Sequence, residues 1–199
     1  SSISSMMQLD KKFIYTDEEL MKRFQNGDEK AYIELVNRYR DKILNFTYNY
    51  IRDIEIAEDI VQDTMIKLYQ KKHYYKEIAK FSTWLYTIAK NLANTELRKR
   101  KHRKTTILSH ITKDNKVYEI PSNQPGTDQE IESEVTRKII QNAIDQLTDK
   151  FRTVILLRDI QELSYEDISS IVGVPIGTIK SRINRARLQL QIELKHLRT

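Results

Sequence analysis

Apolar residues recur at helical spacing through almost the whole chain. Ala31, Leu35, Tyr39, Ile43 and Phe46 form one such series. Ala57, Ile60, Val61, Thr64 and Leu68 form a second, and Trp84, Leu85, Ile88, Ala89 and Leu92 a third. A period near 3.6 puts each series on one stripe of a helix, where it must find a core. No long β-branched alternation of period two is present. The breakers are only four glycines and three prolines, at Gly27, at Pro121, Pro125 and Gly126, and at Gly173, Pro175 and Gly177. The pattern predicts an all-α protein: two helical domains joined by a flexible linker, the C-terminal one a four-helix module. The expected divisions are 16–104, a linker over 105–131, and 132–199.

Polar punctuation predicts where these helices begin. Thr16 followed by Glu19 is a capping box for a short helix to about Gln25, and Asn26-Gly27-Asp28 is a turn whose Asp28 opens the next helix. Asp53 opens the third and Ser82 caps the fourth, with Lys71 to Lys80 irregular between them. Beyond the linker, helices are expected from about Glu132 to Leu147 and from Asp149 to Gln161. The run from Leu163 to Arg187 then reads as two helices around a tight turn. Ser164 caps the first, with Asp167 as its capping-box partner, and Ile168, Ile171 and Val172 share its apolar face. Gly173 suits the left-handed residue that ends a helix, and Pro175 suits the opening of the next. That is the helix-turn-helix pattern.

Charge and composition narrow the function. The chain has 199 residues, a formal net charge of +6 and 31% charged residues, as a globular protein with a polyanionic partner would. It has no cysteine, so neither a disulfide framework nor a thiolate metal site is available. The four histidines, His73, His102, His110 and His196, are scattered, and no carboxylate cluster has metal-site spacing. No catalytic group, metal or cofactor is therefore expected. No apolar run approaches the roughly 20 residues of a membrane span, so membrane insertion is not expected and the protein is expected to be cytoplasmic. The opening SSISS is set aside from the fold.

Three polar faces carry the candidate chemistry. In the last helix Ile179, Ile183, Ala186 and Leu190 make the buried stripe. Gly177, Ser181 and Asn184 lie opposite, flanked by Lys180 and Arg185, with Thr178, Arg182 and Arg187 further round. Hydroxyl, amide and cationic groups are what hydrogen-bond base edges and phosphates in a major groove. A solvated basic face on an ordinary helical hairpin is the plainer alternative. In the fourth helix Thr87, Lys90, Asn91, Asn94, Arg98 and Lys101 share an outer face, and seven basic residues against one acid occur from Lys90 to Lys104. Such a face suits nucleic-acid backbone, with amides able to reach bases. Trp84 reads as core, while Tyr74 and Tyr75 in the preceding loop are better placed to stack on an unpaired base. In the third helix Asp59, Gln62 and Asp63 lie together, in a stretch with five acids from Asp53 to Asp63 and no base. Favourable helix-dipole chemistry and a docking surface remain equally open readings of that cluster.

The run LSYEDISSIVGVPIGTIKSRINRAR resembles the C-terminal DNA-reading module of extracytoplasmic-function (ECF) sigma factors. AEDIVQDTMIKLY and the helix FSTWLYTIAKNLANTELRKRKHR resemble that family's polymerase-docking and promoter-melting segments. The resemblance spans about Asp17 to Arg198 in correct order. It implies an initiation factor without enzymatic activity. Asp59, Gln62 and Asp63 would dock on the clamp helices of the largest subunit of core RNA polymerase, and the C-terminal domain on the flap of the second-largest. The helix containing Asn91 would read the melted minus-ten element, the loop from His73 to Ser82 would capture an extruded base, and the last helix would read the duplex minus-thirty-five element. The linker would thread toward the polymerase cleft and RNA exit path. Arg158 resembles a residue that contacts upstream phosphate. An anti-sigma factor or another recruiting protein is left open as a further partner. Two departures are visible: Thr148 stands where a proline is usual, and Glu162 where a glycine commonly ends the helix. The competing reading is a stand-alone helix-turn-helix regulator with a helical sensor or dimerisation domain, which would not need the basic, amide-lined fourth helix.

Overall fold

The computed structural model describes residues 14–108 and 128–197. Among them every regular element is helical. Helix α1 (Asp17–Gln25) starts with both halves of the capping box. The Glu19 amide donates to Thr16 Oγ1 at 3.2 Å, and the Thr16 amide to Glu19 Oε2 at 2.8 Å. Helices α2 (Glu29–Ile51) and α3 (Ile54–Gln70) are opened by the carboxylates of Asp28 and Asp53, which accept from the amides of Lys30 and Ile56. Each cap of this kind stabilises its helix by roughly 1 kcal/mol. A 3₁₀ turn, Lys72–Tyr74, leads to the long α4 (Phe81–Leu108). Ser82 is not the cap expected of it. The helix already includes Phe81, whose amide donates to Glu18 Oε1 of α1 at 3.1 Å.

The N-terminal domain packs α1, α3 and α4 around α2. Ala31, Leu35, Tyr39, Ile43 and Phe46 are all buried, as are Ala57, Ile60, Val61, Thr64 and Leu68. In α4 the buried line runs through Phe81, Leu85, Tyr86, Ala89 and Ala93, with Trp84 and Leu92 packed at its margin. At α1, Tyr39 donates a short hydrogen bond to the carboxylate of Asp17, which also pairs with Arg38 at 3.0 Å. Burial and that carboxylate push the Tyr39 hydroxyl well above the ordinary tyrosine range.

The C-terminal domain comprises α5 (Asp128–Gln146), α6 (Asp149–Ile155) with a π-helical continuation over Leu156–Ile160, α7 (Tyr165–Val172) and α8 (Ile176–Leu197). The expected linker therefore falls on residues 109–127, outside the described residues, and on two short helical ends: α4 reaches Leu108, and α5 begins at Asp128. Both sequence departures have a backbone rationale. Thr148 sits at φ −61°, an angle that proline also adopts, and Glu162 at φ +57°, the left-handed region that favours glycine. In the helix-turn-helix the Ser164 side chain accepts from the Asp167 amide, and Gly173 ends α7 at φ +78°. The Asp167 carboxylate itself reaches Lys80 of the other domain, at 3.3 Å.

The two domains do not stand apart. Ile144, Val154, Leu156, Leu157, Ile168 and Ile171 join the same buried apolar cluster as the core of the N-terminal domain. Each such fully buried aliphatic side chain stabilises the fold by roughly 1.5–3 kcal/mol.

Candidate nucleic-acid and polymerase interfaces

The acidic cluster is a surface. Asp59, Gln62 and Asp63 are exposed on α3, opposite its buried stripe. Asp59 and Gln62, but not Asp63, edge a groove of ≈ 700 Å³ whose other wall is α2, with Tyr32, Arg40 and Asp41. The α2 contribution was not read from sequence; its one signal is the polar pair Arg40-Asp41 between apolar positions Tyr39 and Ile43. Tyr32 is fixed there by donating to the Met65 carbonyl at 3.0 Å.

The α4 face divides. Asn91, Arg98 and Lys101 are exposed, whereas Thr87, Lys90 and Asn94 are half-buried. The Lys90 ammonium donates to the Ile171 carbonyl at 2.8 Å, and burial lowers its pKa. Asn94 Oδ1 accepts from the Tyr50 hydroxyl at 2.6 Å, and Thr87 donates within its own helix to the Thr83 carbonyl. Lys101 pairs with Asp149 at 2.9 Å. Spacing along α4 carries no trace of the engagements of Lys90, Asn94 and Lys101, because their partners lie on other helices.

In the preceding loop Tyr74 is 78% exposed and free to present its ring. Tyr75, expected to be its equal, is instead core. It is 6% exposed, it packs against Trp84 and Phe81 at ring distances of 5.4 and 6.0 Å, and its hydroxyl donates to the Ala79 carbonyl at 2.7 Å. Burial pushes that hydroxyl up to about 12. Gln25 of α1 anchors the loop by donating to the carbonyls of Lys72 and Tyr75.

On α8, Ile179, Ile183 and Ala186 are buried, and Gly177, Lys180, Ser181, Asn184, Arg185 and Arg187 are exposed, with Thr178 and Arg182 half-buried. A Cβ at Gly177 would meet nothing within 4 Å, so the glycine answers no packing need within the chain. The side chains of Ser181, Asn184 and Arg185 form no hydrogen bond or ion pair among the described residues. Arg187 grips Asp159 with two nitrogens at 2.6 and 3.2 Å, which ties α8 to the π turn and raises the guanidinium's pKa. Arg158 is held in place too. It donates to the Leu163 carbonyl at 2.8 Å and lies 4.3 Å above the Tyr165 ring, over which Lys180 also sits at 5.5 Å.

Residues 35–103 match the family model of Sigma-70 region 2, and residues 137–190 that of Sigma-70, region 4. The ECF RNA polymerase sigma factor SigW of Bacillus subtilis is 35% identical over 188 residues, covering 89% of this chain and 96% of that protein. The ECF RNA polymerase sigma-E factor of Haemophilus influenzae is 34% identical over 185 residues, covering 92% and 97%. A solved structure of the sigma factor RpoE with the anti-sigma factor NepR from Bartonella quintana superposes with a TM-score of 0.65. It is 29% identical and covers 83% of this chain and 98% of that one. The two family regions fall in order on the two helical domains, and the identity is sustained over about nine-tenths of the chain. The chain therefore belongs to the ECF RNA polymerase sigma factors.

Proposed function

We propose that this sigma factor docks on core RNA polymerase through Asp59, Gln62 and Asp63, reads the downstream promoter element with α4 and Tyr74, and reads the upstream element with α8. The observation that carries this assignment is the separation of charge within one small domain. An exposed acidic face on α3 suits a protein partner, and a basic, amide-bearing face on α4 suits DNA, so neither competes with the other. On α8, Ser181 and Asn184 stand where base edges would lie, with Lys180 and Arg185 beside them. Arg187, committed to Asp159, supports the helix, and Arg158 meets phosphate only through the edge it leaves open beside Tyr165.

The clamp helices of the largest polymerase subunit are the proposed partner of α3, and the flap of the second-largest that of the C-terminal domain. Such a factor acts in the cytoplasm and makes no bond in RNA itself, which leaves the chemistry to the polymerase. A protein inhibitor of the kind seen on the Bartonella quintana relative is a further partner that fits this size and fold. In vitro transcription on genomic DNA, with core polymerase and with or without this chain, tests the reading. Discrete new start sites are expected only when the chain is present, and their absence would overturn it.

A further inference from the structure

Three cationic side chains, Arg158, Lys180 and Arg187, converge on Tyr165 of the helix-turn-helix. On the sigma-factor reading, we propose that Tyr165 is a positioning residue for upstream DNA. Its ring holds Arg158 and Lys180 together as a preformed seat for the DNA backbone, beside the bases that Ser181 and Asn184 face.

Tyr165 is the first residue of α7, directly after the Ser164 cap, and its ring packs against the apolar core. The ring is thus fixed from behind while the residue stays half-buried. The Arg158 guanidinium carbon lies 4.3 Å from its centroid and the Lys180 ammonium 5.5 Å. These two cations come from different elements, the π turn before α7 and the reading helix α8. The turn between them and Tyr165 delivers the first. Glu162 takes the left-handed conformation, and Arg158 donates through Nη1 to the Leu163 carbonyl at 2.8 Å beyond it. The other guanidinium nitrogens form no hydrogen bond among the described residues, so they stay available to a ligand.

The charges around the ring do not balance. Arg187 pairs with Asp159 at 2.6 Å, and its pKa is raised first by Asp159 and further by Tyr165. That pair takes up the neighbouring carboxylate. Neither Arg158 nor Lys180 has a carboxylate partner among the described residues. Two cations gathered without a carboxylate repel each other, and the electron-rich face of an aromatic ring is a neutral group that can hold both. An external anion completes such a site, and on DNA that anion is phosphate. Pre-ordering also matters for affinity. Arg and Lys lose rotamer freedom when they bind, and less of it is lost at binding when a ring already holds them. Ser181 and Asn184 are short and need little ordering, so the two long cations are where Tyr165 acts.

Two full-length variants test this. Tyr165→Phe keeps the ring, and Tyr165→Leu fills the same half-buried place without one. Each is assembled with core polymerase and titrated, over a range of salt, onto a promoter that wild-type holoenzyme selects from genomic DNA. Tyr165→Phe should bind within about twofold of wild type. Tyr165→Leu should bind about five- to tenfold more weakly, with a salt dependence flattened by about one charge and the same upstream sequence preferred. Lys180→Ala and Arg158→Ala should each cost less in the Tyr165→Leu background than in wild type, because ring and cations act together. Additive costs, or equal losses in Tyr165→Phe and Tyr165→Leu, would overturn the proposal. A second arm needs no DNA. In NMR spectra of the free chain, the Arg158 and Lys180 side-chain resonances should carry a ring-current shift that Tyr165→Phe keeps and Tyr165→Leu abolishes. Its absence from wild type would overturn the proposal as well. A wild-type holoenzyme indifferent to the upstream element, with the ring shifts present, would instead sink the sigma-factor reading, and with it the DNA role given to Tyr165.

Discussion

Asn91 and Asn94 illustrate how two amides one turn apart on a helix acquire different work. Asn94 accepts from Tyr50 and is half-buried, while Asn91 is exposed and forms no side-chain hydrogen bond among the described residues. Asn91→Ala is therefore expected to reduce discrimination at the downstream element by about 1–3 kcal/mol. Arg98→Ala should weaken binding to all sequences alike and flatten its salt dependence by about one charge. Competition binding of holoenzyme to matched and mismatched promoters separates the two. If both variants lose affinity regardless of sequence, Asn91 touches phosphate only. Asp59→Lys and Asp63→Lys act on the other surface. Both carboxylates lie off the apolar stripe, so the variants should keep the wild-type circular dichroism and melting curve. They should compete at least about tenfold less well for core polymerase. Undiminished competition would remove this face from the interface.

At the scale of elements, α8 is held so that only one of its faces is available. Ile179, Ile183 and Ala186 fix its rotation against α6 and α7, and the Arg187–Asp159 pair fixes it again from the side. A rigid helix of this kind transmits side-chain identity into base preference. Exchanging Lys180, Ser181, Asn184 and Arg185 together should change which upstream element is selected from a randomised promoter library, while the downstream preference stays as it was. Each good bidentate contact contributes about 1–3 kcal/mol of discrimination. Selection of the same upstream sequence by both proteins would mean that α8 only positions the domain on the backbone.

For the whole molecule, the tyrosines report on how the helices are joined. Burial raises the Tyr86 hydroxyl to about 12, and Tyr75 likewise to about 12. In the unfolded chain both titrate near 10. A folded pKa above the unfolded one gives stability that is whole below pH 10 and is lost as pH rises toward 12. Tyr86 donates to Gln161, so its ionisation also removes a hydrogen bond between the domains. Absorbance at 295 nm should show a group of tyrosines, Tyr75 and Tyr86 among them, whose titration is delayed above pH 10 until the fold opens. Tyr86→Phe should remove one late titration and loosen the domain contact. If all tyrosines titrate together near 10 while helicity persists, the rings are not buried as described.

Much of this was legible one helix at a time. The caps at Thr16, Asp28, Asp53 and Ser164 and the stripes of α2, α3 and α8 follow from local hydrogen bonding and from a 3.6-residue period, both of which the sequence carries within a few residues. The residue types of the three polar faces were legible for the same reason. Position across helices was not. Ser82 lost the capping role because Glu18, 63 residues earlier, supplies the carboxylate for Phe81. Tyr75 became core because its loop folds back on Phe81 and Trp84, although nothing in the sequence distinguishes it from its neighbour Tyr74. Lys90 and Asn94 belong to a DNA-reading face by spacing, but packing gives Lys90 to the Ile171 carbonyl of the C-terminal domain and Asn94 to Tyr50 of α2. The helices, their apolar faces and the chemistry each could offer follow from residue order, since these depend on neighbours three and four residues away. The tertiary structure alone decided which of those polar groups are free, because that depends on partners many tens of residues distant, brought together by burying one shared apolar cluster.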